Sequence, residues 1–311
     1  MKIIVTGSIA FDYLMTFPGS FTDHLLPDQL QHVSLSFLVD TMVRRKGGCA
    51  PNIAYTLALL GEHPTIMATA GVDFDEYRTW LTSVGVDTSL IRQTTEKFTA
   101  SFFCNTDVHN NQIATFYAGA MSDARELSFC DIEKPDLVII SPNDPAAMVR
   151  YARECSDLGI RYIFDPGQQC ARSSGDELRA GINSAAVLIC NDYEYELIRA
   201  KTGMSQAEII GKREAVIVTR GAEGSSIYHD DQHIHIPAVP EQRIVDPTGV
   251  GDAYRGGLIR GMALGASWEV SGRLGSVAAT YALEHVGGLS HTYTWDGFIA
   301  RYESFFGKYV G

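Results

Sequence analysis

The segment Thr248-Gly249-Val250-Gly251-Asp252 places two glycines and an acid at the start of a predicted helix. Free backbone N–H groups and the helix dipole at such a terminus form a binding site for an anion, with phosphate the obvious candidate. An acid inside that site competes with the anion unless it accepts a proton from an alcohol that attacks the phosphate. The segment therefore predicts phosphoryl transfer with Asp252 as an ionised base, although a glycine turn before Asp is more often an ordinary helix start.

Other phosphate-binding and hydrolytic motifs are absent from the sequence. There is no G-x-x-x-x-G-K-S/T segment, and the third glycine of a dinucleotide fingerprint would fall at Tyr254. Neither a P-loop nor a dinucleotide site of the Rossmann type is supported. The chain also lacks G-x-S-x-G and H-E-x-x-H, so serine-hydrolase and zinc-protease functions lose their support.

A double glycine, Gly47-Gly48, precedes a predicted helix that carries Asn52 in its first turn. Glycines let the backbone approach a polyhydroxyl substrate closely, and an amide can bond a hydroxyl group. The same residues also fit a simple tight turn before a helix. Taken alone, this cluster favours the tight turn.

Polar residues follow several predicted strands at their carboxyl ends, where doubly wound proteins bind ligands. Each is compatible with an ordinary cap or turn, and their shared position is what favours a site. They are Asp12, Gln168-Gln169, Asn191-x-x-Glu194 and Thr219-Arg220-Gly221.

Short apolar runs alternate with segments of helical spacing along the chain. The runs predict buried strands at 3–5, 65–69, 137–140, 162–164, 187–190 and 216–219, and the spacing predicts helices at 52–60, 75–84, 145–158, 177–184 and 192–201. Alternating strands and helices indicate an α/β fold with a doubly wound, mostly parallel sheet flanked by helices. The glycine-rich helix after residue 250 is predicted to pack closely on both sides.

Two segments interrupt this alternation, and we interpret them together as a small β-sheet lid. Residues 11–45 lack a helix period, and residues 98–117 alternate like a hairpin with a polar turn at 107–111. Phe102 and Phe116 lie on its two arms, where they could hold a flat ring between them or serve packing alone. An exposed lid face would need covering, and a homodimer contact through the lid is one way to cover it.

Composition limits the classes of function that remain. The 311 residues are 45% hydrophobic and 20% charged, which is typical of a globular protein, and the net charge of −12 would repel a polyanion. Nucleic acid is therefore not an expected partner. No apolar run approaches the ~18 residues of a membrane span, and the N-terminus lacks a signal-peptide pattern, so we expect a cytoplasmic location with no membrane contact.

The ordered motifs resemble those of the ribokinase-like (PfkB) sugar and nucleoside kinases over essentially the whole chain. The motifs are Gly47-Gly48 with Asn52, Asn191-x-x-Glu194, Thr219-Arg220-Gly221 and 246–252; stretches at 5–10, 35–39, 112–117, 165–169 and 246–255 are most similar to bacterial adenosine kinases. The resemblance implies transfer of the γ-phosphoryl group of ATP to the 5′-hydroxyl of adenosine or a related nucleoside. It also implies a large α/β domain of residues 1–10, 46–95 and 121–311, with a lid of residues 11–45 and 96–120.

The resemblance implies a role for each residue that matches a family motif. At the reaction centre Asp252 is the catalytic base, and the anion hole comprises Gly249, Val250 and Gly251. On the ATP side the matching residues are Asn191, Glu194, Thr219, Gly221 and Thr248, with Glu194 holding Mg²⁺ through water. Asp246, with Thr248, is the candidate for a monovalent cation such as K⁺.

The nucleoside side is assigned in the same way. Residues at positions that hold the ribose or line its pocket are Ser8, Asp12, Ser36, Gly48 and Asn52; residues that face the base are Phe102, Phe116, Gln168 and Gln169. Two alternatives stay open, a ribokinase-type sugar kinase of the same fold and a non-catalytic nucleoside-binding relative. The sequence does not decide which nucleoside is preferred.

Overall fold

The computed structural model describes residues 1–24, 34–211 and 213–310. In these residues the strands are β1 (Ile3–Thr6), β2 (Ala10–Thr16), β3 (Thr41–Gly47), β4 (Thr65–Ala70), β5 (Ile91–Gln93), β6 (Ala100–Thr106), β7 (Gln112–Tyr117), β8 (Leu137–Ile140), β9 (Tyr162–Phe164), β10 (Val187–Asn191), β11 (Ala215–Thr219), β12 (Ser225–His229) and β13 (Gln232–Ile236). The α-helices are α1 (Cys49–Leu59), α2 (Asp75–Ser83), α3 (Pro145–Asp157), α4 (Gly175–Asn183), α5 (Asp192–Thr202), α6 (Gln206–Ile210), α7 (Val250–Ala263), α8 (Trp268–Leu283) and α9 (Trp295–Phe306).

The large sheet has the strand order β13-β12-β11-β10-β9-β8-β1-β4-β5. The strands from β11 to β5 are parallel, whereas β12 and β13 pair antiparallel at one edge. The predicted mostly parallel sheet is therefore confirmed. The sequence analysis did not predict β5, β12, α6 or α9. The strands β12 and β13 form a hairpin around Asp230, which has a φ of 49°.

Helices cover both faces of the large sheet, because alternate residues of each strand point to opposite sides. Ile3 and Val5 of β1 belong to an apolar cluster with α1, α2 and α7, and Ile4 belongs to a second cluster with α3, α4 and α5. Burial on both faces explains why these strands are continuous apolar runs.

The small sheet has the order β3-β2-β6-β7 and contains the predicted hairpin. β2 leads into it directly after β1, so this sheet stands over the carboxyl end of the first strand. The residue bounds of the two predicted domains stay a prediction. Residues 25–33 of the predicted lid lie outside the described residues.

The glycines of α7 allow the close packing that the sequence predicts. A Cβ on Gly256 would lie 2.6 Å from side-chain atoms of Thr56 on α1, and a Cβ on Gly257 would lie 2.5 Å from the backbone of Leu274 on α8. α7 is therefore held between α1 and α8. In the described part of the chain, no helix is long and apolar enough to cross a membrane.

Candidate active site

Two cavities meet at Asp252, at the carboxyl edge of the large sheet. The larger, about 410 Å³, lies between this edge and the small sheet; the smaller, about 210 Å³, lies over the ends of β10 and β11. Residues that line both are Cys49, Pro142, Gln168, Gly249 and Asp252. The predicted convergence of polar residues at the strand ends is thus observed, and Asp252 faces both compartments.

The start of α7 presents free backbone donors to this junction. Gly249 has a φ of 78°, and a Cβ there would lie 2.5 Å from Cα of Gly288, so a side chain would meet both strain and a clash. Among the described residues, the N–H groups of Gly249, Gly251 and Asp252 have no hydrogen-bond acceptor. These donors can therefore bind an anion.

Val250 takes part in this turn through its backbone. Its N–H donates to the Pro247 carbonyl at 3.4 Å, and its side chain packs with the cluster formed by α8 and α9. The type of side chain at this position therefore affects packing more than it affects the anion site.

Asp252 is bonded to the predicted substrate residue Asn52, whose Nδ2 donates to Oδ2 at 2.8 Å. Burial raises the pKa of Asp252 to about 7, against the opposing effects of the Arg255 charge and the Asn52 hydrogen bond. The sequence analysis expected the helix dipole to keep this group ionised. Desolvation outweighs that effect, so near pH 7 the carboxyl group can both accept and release a proton.

Arg255 and Asp165 form a buried ion pair behind the helix start, which the sequence analysis did not predict. Arg255 is 7% exposed and Asp165 is 1% exposed, and Nε and Nη2 of the arginine contact both carboxylate oxygens. Nη1 of Arg255 also donates to the Gly251 carbonyl at 2.9 Å. This pair ties the first turn of α7 to the end of β9, and only the fold brings the two residues together.

The ribose-side residues Ser8, Asp12, Gly48 and Asn52 line the larger cavity. Gly48 has a φ of 102°, and a Cβ there would lie 2.4 Å from the Ser8 carbonyl oxygen. Ser8 Oγ accepts the N–H of Cys49 at 3.3 Å. Burial raises the pKa of Asp12, with Arg45 opposing the shift.

Phe102 and Phe116 also line the larger cavity, together with Gln168 and Gln169. The two phenylalanines are directly opposite in the β6–β7 register, so both side chains lie on one face of the small sheet. The two rings lie next to each other and form one side of the cavity. The two glutamines lie in a single 3₁₀ turn, Gly167–Ala171, after β9.

The ATP-side residues Asn191, Glu194 and Thr219 line the smaller cavity. Asn191 and Glu194 form a capping box at the start of α5: the Glu194 N–H donates to Asn191 Oδ1 at 2.7 Å, and the Asn191 N–H donates to Glu194 Oε2 at 2.9 Å. Burial, and next the negative charge of Asp165, raise the pKa of Glu194. A cation in the smaller cavity would favour the ionised form.

Ser36 and Gly221 lie outside the linings of both cavities. Ser36 is exposed in a segment next to Phe37, whose ring packs on Phe17 and Phe21 instead of the cavity, and Gly221 occupies an exposed turn after β11. The structure therefore does not bring these two residues together with the other predicted site residues. Their roles stay predictions.

Thr248 lines the larger cavity, whereas Asp246 is held by nearby donors. One Asp246 oxygen accepts from Arg45 at 3.2 Å and from the Gly287 N–H at 3.0 Å, and the other accepts from the Thr248 N–H at 2.9 Å. Burial raises the pKa of Asp246, but these hydrogen bonds outweigh it and lower the pKa below its usual value. The cation-binding role of Asp246 stays a prediction.

Five residues that line the larger cavity were not singled out as site residues by sequence analysis: Ala10, Cys49, Met121, Pro142 and Arg172. Arg172 follows the predicted Gln168-Gln169 pair by three residues, and that spacing in a 3₁₀ turn was the signal available for it. Cys49 follows Gly48 directly. Nothing in the local sequence distinguishes Met121.

Comparison with known proteins identifies the family of this chain. The pfkB family carbohydrate kinase model matches residues 9–294. The chain is 33% identical over 294 residues to a nucleoside kinase of Methanothermobacter thermautotrophicus, covering 92% of this chain and 90% of that protein. It is 28% identical over 307 residues to a nucleoside kinase of Methanocaldococcus jannaschii, covering 97% of each.

A solved structure of Burkholderia thailandensis nucleoside kinase in complex with inosine is 39% identical, with a TM-score of 0.87 and 98% of each chain covered. A ribokinase from Thermotoga maritima, 19% identical with a TM-score of 0.79 and covering 97% of this chain and 99% of its own, shares the fold. From the family match and these similarities, the chain belongs to the pfkB family of carbohydrate kinases and has the ribokinase-like fold.

Proposed function

We propose that this protein is a nucleoside kinase that transfers the γ-phosphoryl group of ATP to the 5′-hydroxyl of a nucleoside. The observation that carries the proposal is the position of Asp252, which lines both cavities beside free N–H donors and has a pKa near 7. A base at the junction of two binding compartments can take a proton from a hydroxyl in one while phosphate is held in the other. The similarity to nucleoside kinases supports a nucleoside in the larger compartment.

In this mechanism each group acts at a stated atom. Asp252 accepts the proton of the attacking hydroxyl while the oxygen–phosphorus bond forms and the bond to the leaving ADP breaks. The free N–H groups at the start of α7 stabilise the negative charge on the transferred phosphoryl group. Asn52 holds Asp252 through Oδ2, which leaves Oδ1 for the substrate. The small sheet covers the cavity and limits access of water, which is a competing acceptor.

The chemistry of the lining suits the smaller cavity to Mg²⁺ and the phosphates of ATP. Oxygen ligands from Asn191, Glu194 and Thr219 suit a hard cation, and Mg²⁺ bound to nucleotide phosphates needs only one or two protein carboxylates. Among the described residues, no group of three or more His, Cys, Asp or Glu side chains could hold a metal by itself. Bound Mg²⁺ would neutralise charge on the phosphates, with Glu194 holding its water shell.

The first test is ATP-dependent formation of ADP by purified protein with Mg²⁺. Inosine, adenosine, guanosine, cytidine and ribose would be compared at equal concentration. We expect turnover with nucleosides above turnover with ribose, because Phe102 and Phe116 contribute binding only when a base is present. Turnover of ribose alone would overturn the nucleoside proposal and support a sugar kinase.

Three further expectations go with this proposal. Comparing activity in Na⁺ with activity in K⁺ tests whether Asp246 binds a monovalent cation.

Sedimentation of the purified protein tests whether it forms a homodimer through the small sheet, where Met42, Ile113 and Tyr117 are exposed. Because ATP is the donor, we expect the reaction to occur in the cytoplasm, which fractionation of cells would check.

A further inference from the structure

The smaller cavity has an unbalanced set of charges on its wall. Among the described residues that line it, Arg255 is the only cationic side chain, whereas Asp165, Glu194 and Asp252 are acids. The phosphates of a nucleoside triphosphate carry several negative charges, and enzymes that transfer phosphate place positive charge against them. Arg255 is therefore the side chain of this cavity whose charge suits the phosphates.

Arg255 has more hydrogen-bond donors than the protein uses. A guanidinium carries five N–H groups. Nε and Nη2 each donate to the Asp165 carboxylate, and Nη1 donates to the Gly251 carbonyl at 2.9 Å. One N–H of Nη1 and one of Nη2 are left without an acceptor among the described residues. Two donors on one planar group suit two oxygens of a phosphate, and a buried donor without a partner is costly unless a ligand or water supplies one.

The position of Arg255 is fixed beside the proposed anion site. Arg255 is 7% exposed, and its partner Asp165 is 1% exposed, so the ion pair is shielded from bulk solvent. A Cβ on Gly251 would lie 2.9 Å from Nη1 of Arg255, which shows that the guanidinium lies against the first turn of α7. Arg255 also follows Asp252 by three residues in this helix, so the two side chains are neighbours on its surface.

We infer that Arg255 is a catalytic residue whose two free N–H groups contact the phosphoryl group during its transfer, and that Asp165 is the positioning residue that orients the guanidinium. This inference rests on the proposed nucleoside kinase function. The bond from the γ-phosphorus to the leaving oxygen of ADP breaks while the bond to the nucleoside oxygen forms, and the hydroxyl proton goes to Asp252. A cation that is already in place stabilises the charge on the transferred group without reorganisation.

A purely structural role for Arg255 makes a different prediction. In that case the ion pair would only tie α7 to β9, and an apolar pair in its place would preserve activity. Replacing both partners of a buried ion pair with apolar residues of similar size often preserves stability, whereas removing one partner leaves a buried charge unpaired. The double variant Asp165→Leu with Arg255→Met therefore separates the two roles.

The first measurement compares kcat and KM for ATP in the wild-type protein and in this double variant, on the high-pH plateau where Asp252 is ionised. We expect kcat to fall about 10²- to 10³-fold, the scale for loss of one preorganised donor to a transition state. KM for ATP should change far less, because the contact is stronger in the transition state than in the ground state. Wild-type kcat in the double variant, with thermal unfolding showing that it is folded, would overturn the inference.

Arg255→Lys is a second variant that keeps a cation beside Asp165. An ammonium group retains the charge but lacks the planar fork of a guanidinium. We therefore expect a kcat between those of the wild-type protein and the double variant. A kcat as high as that of the wild-type protein would contradict the contact through two N–H groups.

Binding of a transition-state analogue supplies a readout that a structural role would not change. ADP with aluminium fluoride imitates the phosphoryl group during transfer, and such analogues bind more tightly than substrates. With nucleoside present, aluminium fluoride should strengthen ADP binding by the wild-type protein far more than binding by the double variant. The Kd of ADP alone should be similar in the two proteins. Equal strengthening in both would overturn the inference.

Arg260→Met with Glu62→Leu is the matched control. Arg260 and Glu62 form an ion pair further along α7, and neither residue lines the two cavities. Its kcat should stay close to the wild-type value. Equal losses of kcat in the two double variants would overturn the inference and leave the nucleoside kinase function standing. If the wild-type protein phosphorylates no nucleoside, the proposed function fails, and the inference fails with it.

Discussion

Asn52 and Asp252 are 200 residues apart in the sequence, yet Asn52 Nδ2 donates to Asp252 Oδ2 at 2.8 Å. Each lies in the first turn of a helix, α1 and α7, and these two helices pack directly on each other. Thr56 and Gly256, each one turn further along, face each other at the same contact. The absence of a side chain on Gly256 therefore lets the helices approach closely enough for the bond that holds the proposed base.

Replacing the base should abolish catalysis and preserve the fold. We expect Asp252→Asn to lose roughly two or more orders of magnitude in kcat, the usual scale for a general base, because an amide cannot accept the proton. Asp176→Asn is the control, since Asp176 is an exposed acid in the first turn of α4. The measurements are kcat and thermal unfolding; near-normal turnover in Asp252→Asn would disprove its role.

Activity should rise with pH through about 7. Burial raises the pKa of Asp252 to about 7, and only the ionised form accepts a proton, so kcat/KM at pH 6 should be about a tenth of its plateau. The Asn52 hydrogen bond lowers this pKa, so Asn52→Leu should move the midpoint to higher pH. Activity of the variant should be several-fold lower at pH 7 and recover in part at pH 9.

If Asn52 only positions the substrate and has no effect on the pKa of Asp252, the Asn52→Leu variant should have a different pH profile. Loss of activity by the same factor at every pH would show that Asn52 positions substrate and leaves the pKa of Asp252 unchanged. The profile should be recorded with nucleoside varied at saturating ATP, because kcat/KM then reports ionisation of the enzyme before the nucleoside binds.

Filling the contact between α1 and α7 should separate the two helices. A Cβ on Gly256 would lie 2.6 Å from Thr56 Cβ and Cγ2, so Gly256→Ala should cost about 1–3 kcal/mol of stability, the range for overpacking. Activity should fall as well, because the Asn52–Asp252 bond depends on this spacing. Gly297→Ala on α9 is the control, where the nearest atom would be 3.2 Å away on Thr294. Equal effects of the two substitutions on denaturant unfolding and on kcat would contradict the argument.

The two faces of the small sheet provide a matched pair of variants. Phe102 lines the larger cavity. The next residue, Phe103, points to the other face of the sheet, where its ring stacks on Tyr13 with 4.7 Å between the ring centroids. Phe102→Ala should raise KM for a nucleoside about ten-fold, on the scale of one aromatic contact to a base. Phe103→Ala should leave KM close to the wild-type value. A mild effect of Phe102→Ala would favour a sugar substrate.

The sequence by itself determined the layers of the fold and the position of Asp252, the proposed catalytic base, at the start of a helix. Buried strands such as β8 and β10 are unbroken apolar runs because both faces of a parallel sheet are covered, so local composition predicts them. Gly249 and Gly251 before Asp252 mark a helix start with free N–H groups, since those residue types serve that backbone. These features depend only on residues that are close to one another in the sequence.

Tertiary structure alone decided which distant residues meet. Arg255 pairs with Asp165, and Asn52 forms a hydrogen bond with Asp252, because β9 ends and α1 and α7 begin at the same edge of the sheet. No local pattern marks a partner across the chain. Burial also set the pKa of Asp252 to about 7, against the ionised state expected from the helix dipole. Desolvation depends on everything that surrounds a group, and so it is a property of the folded molecule.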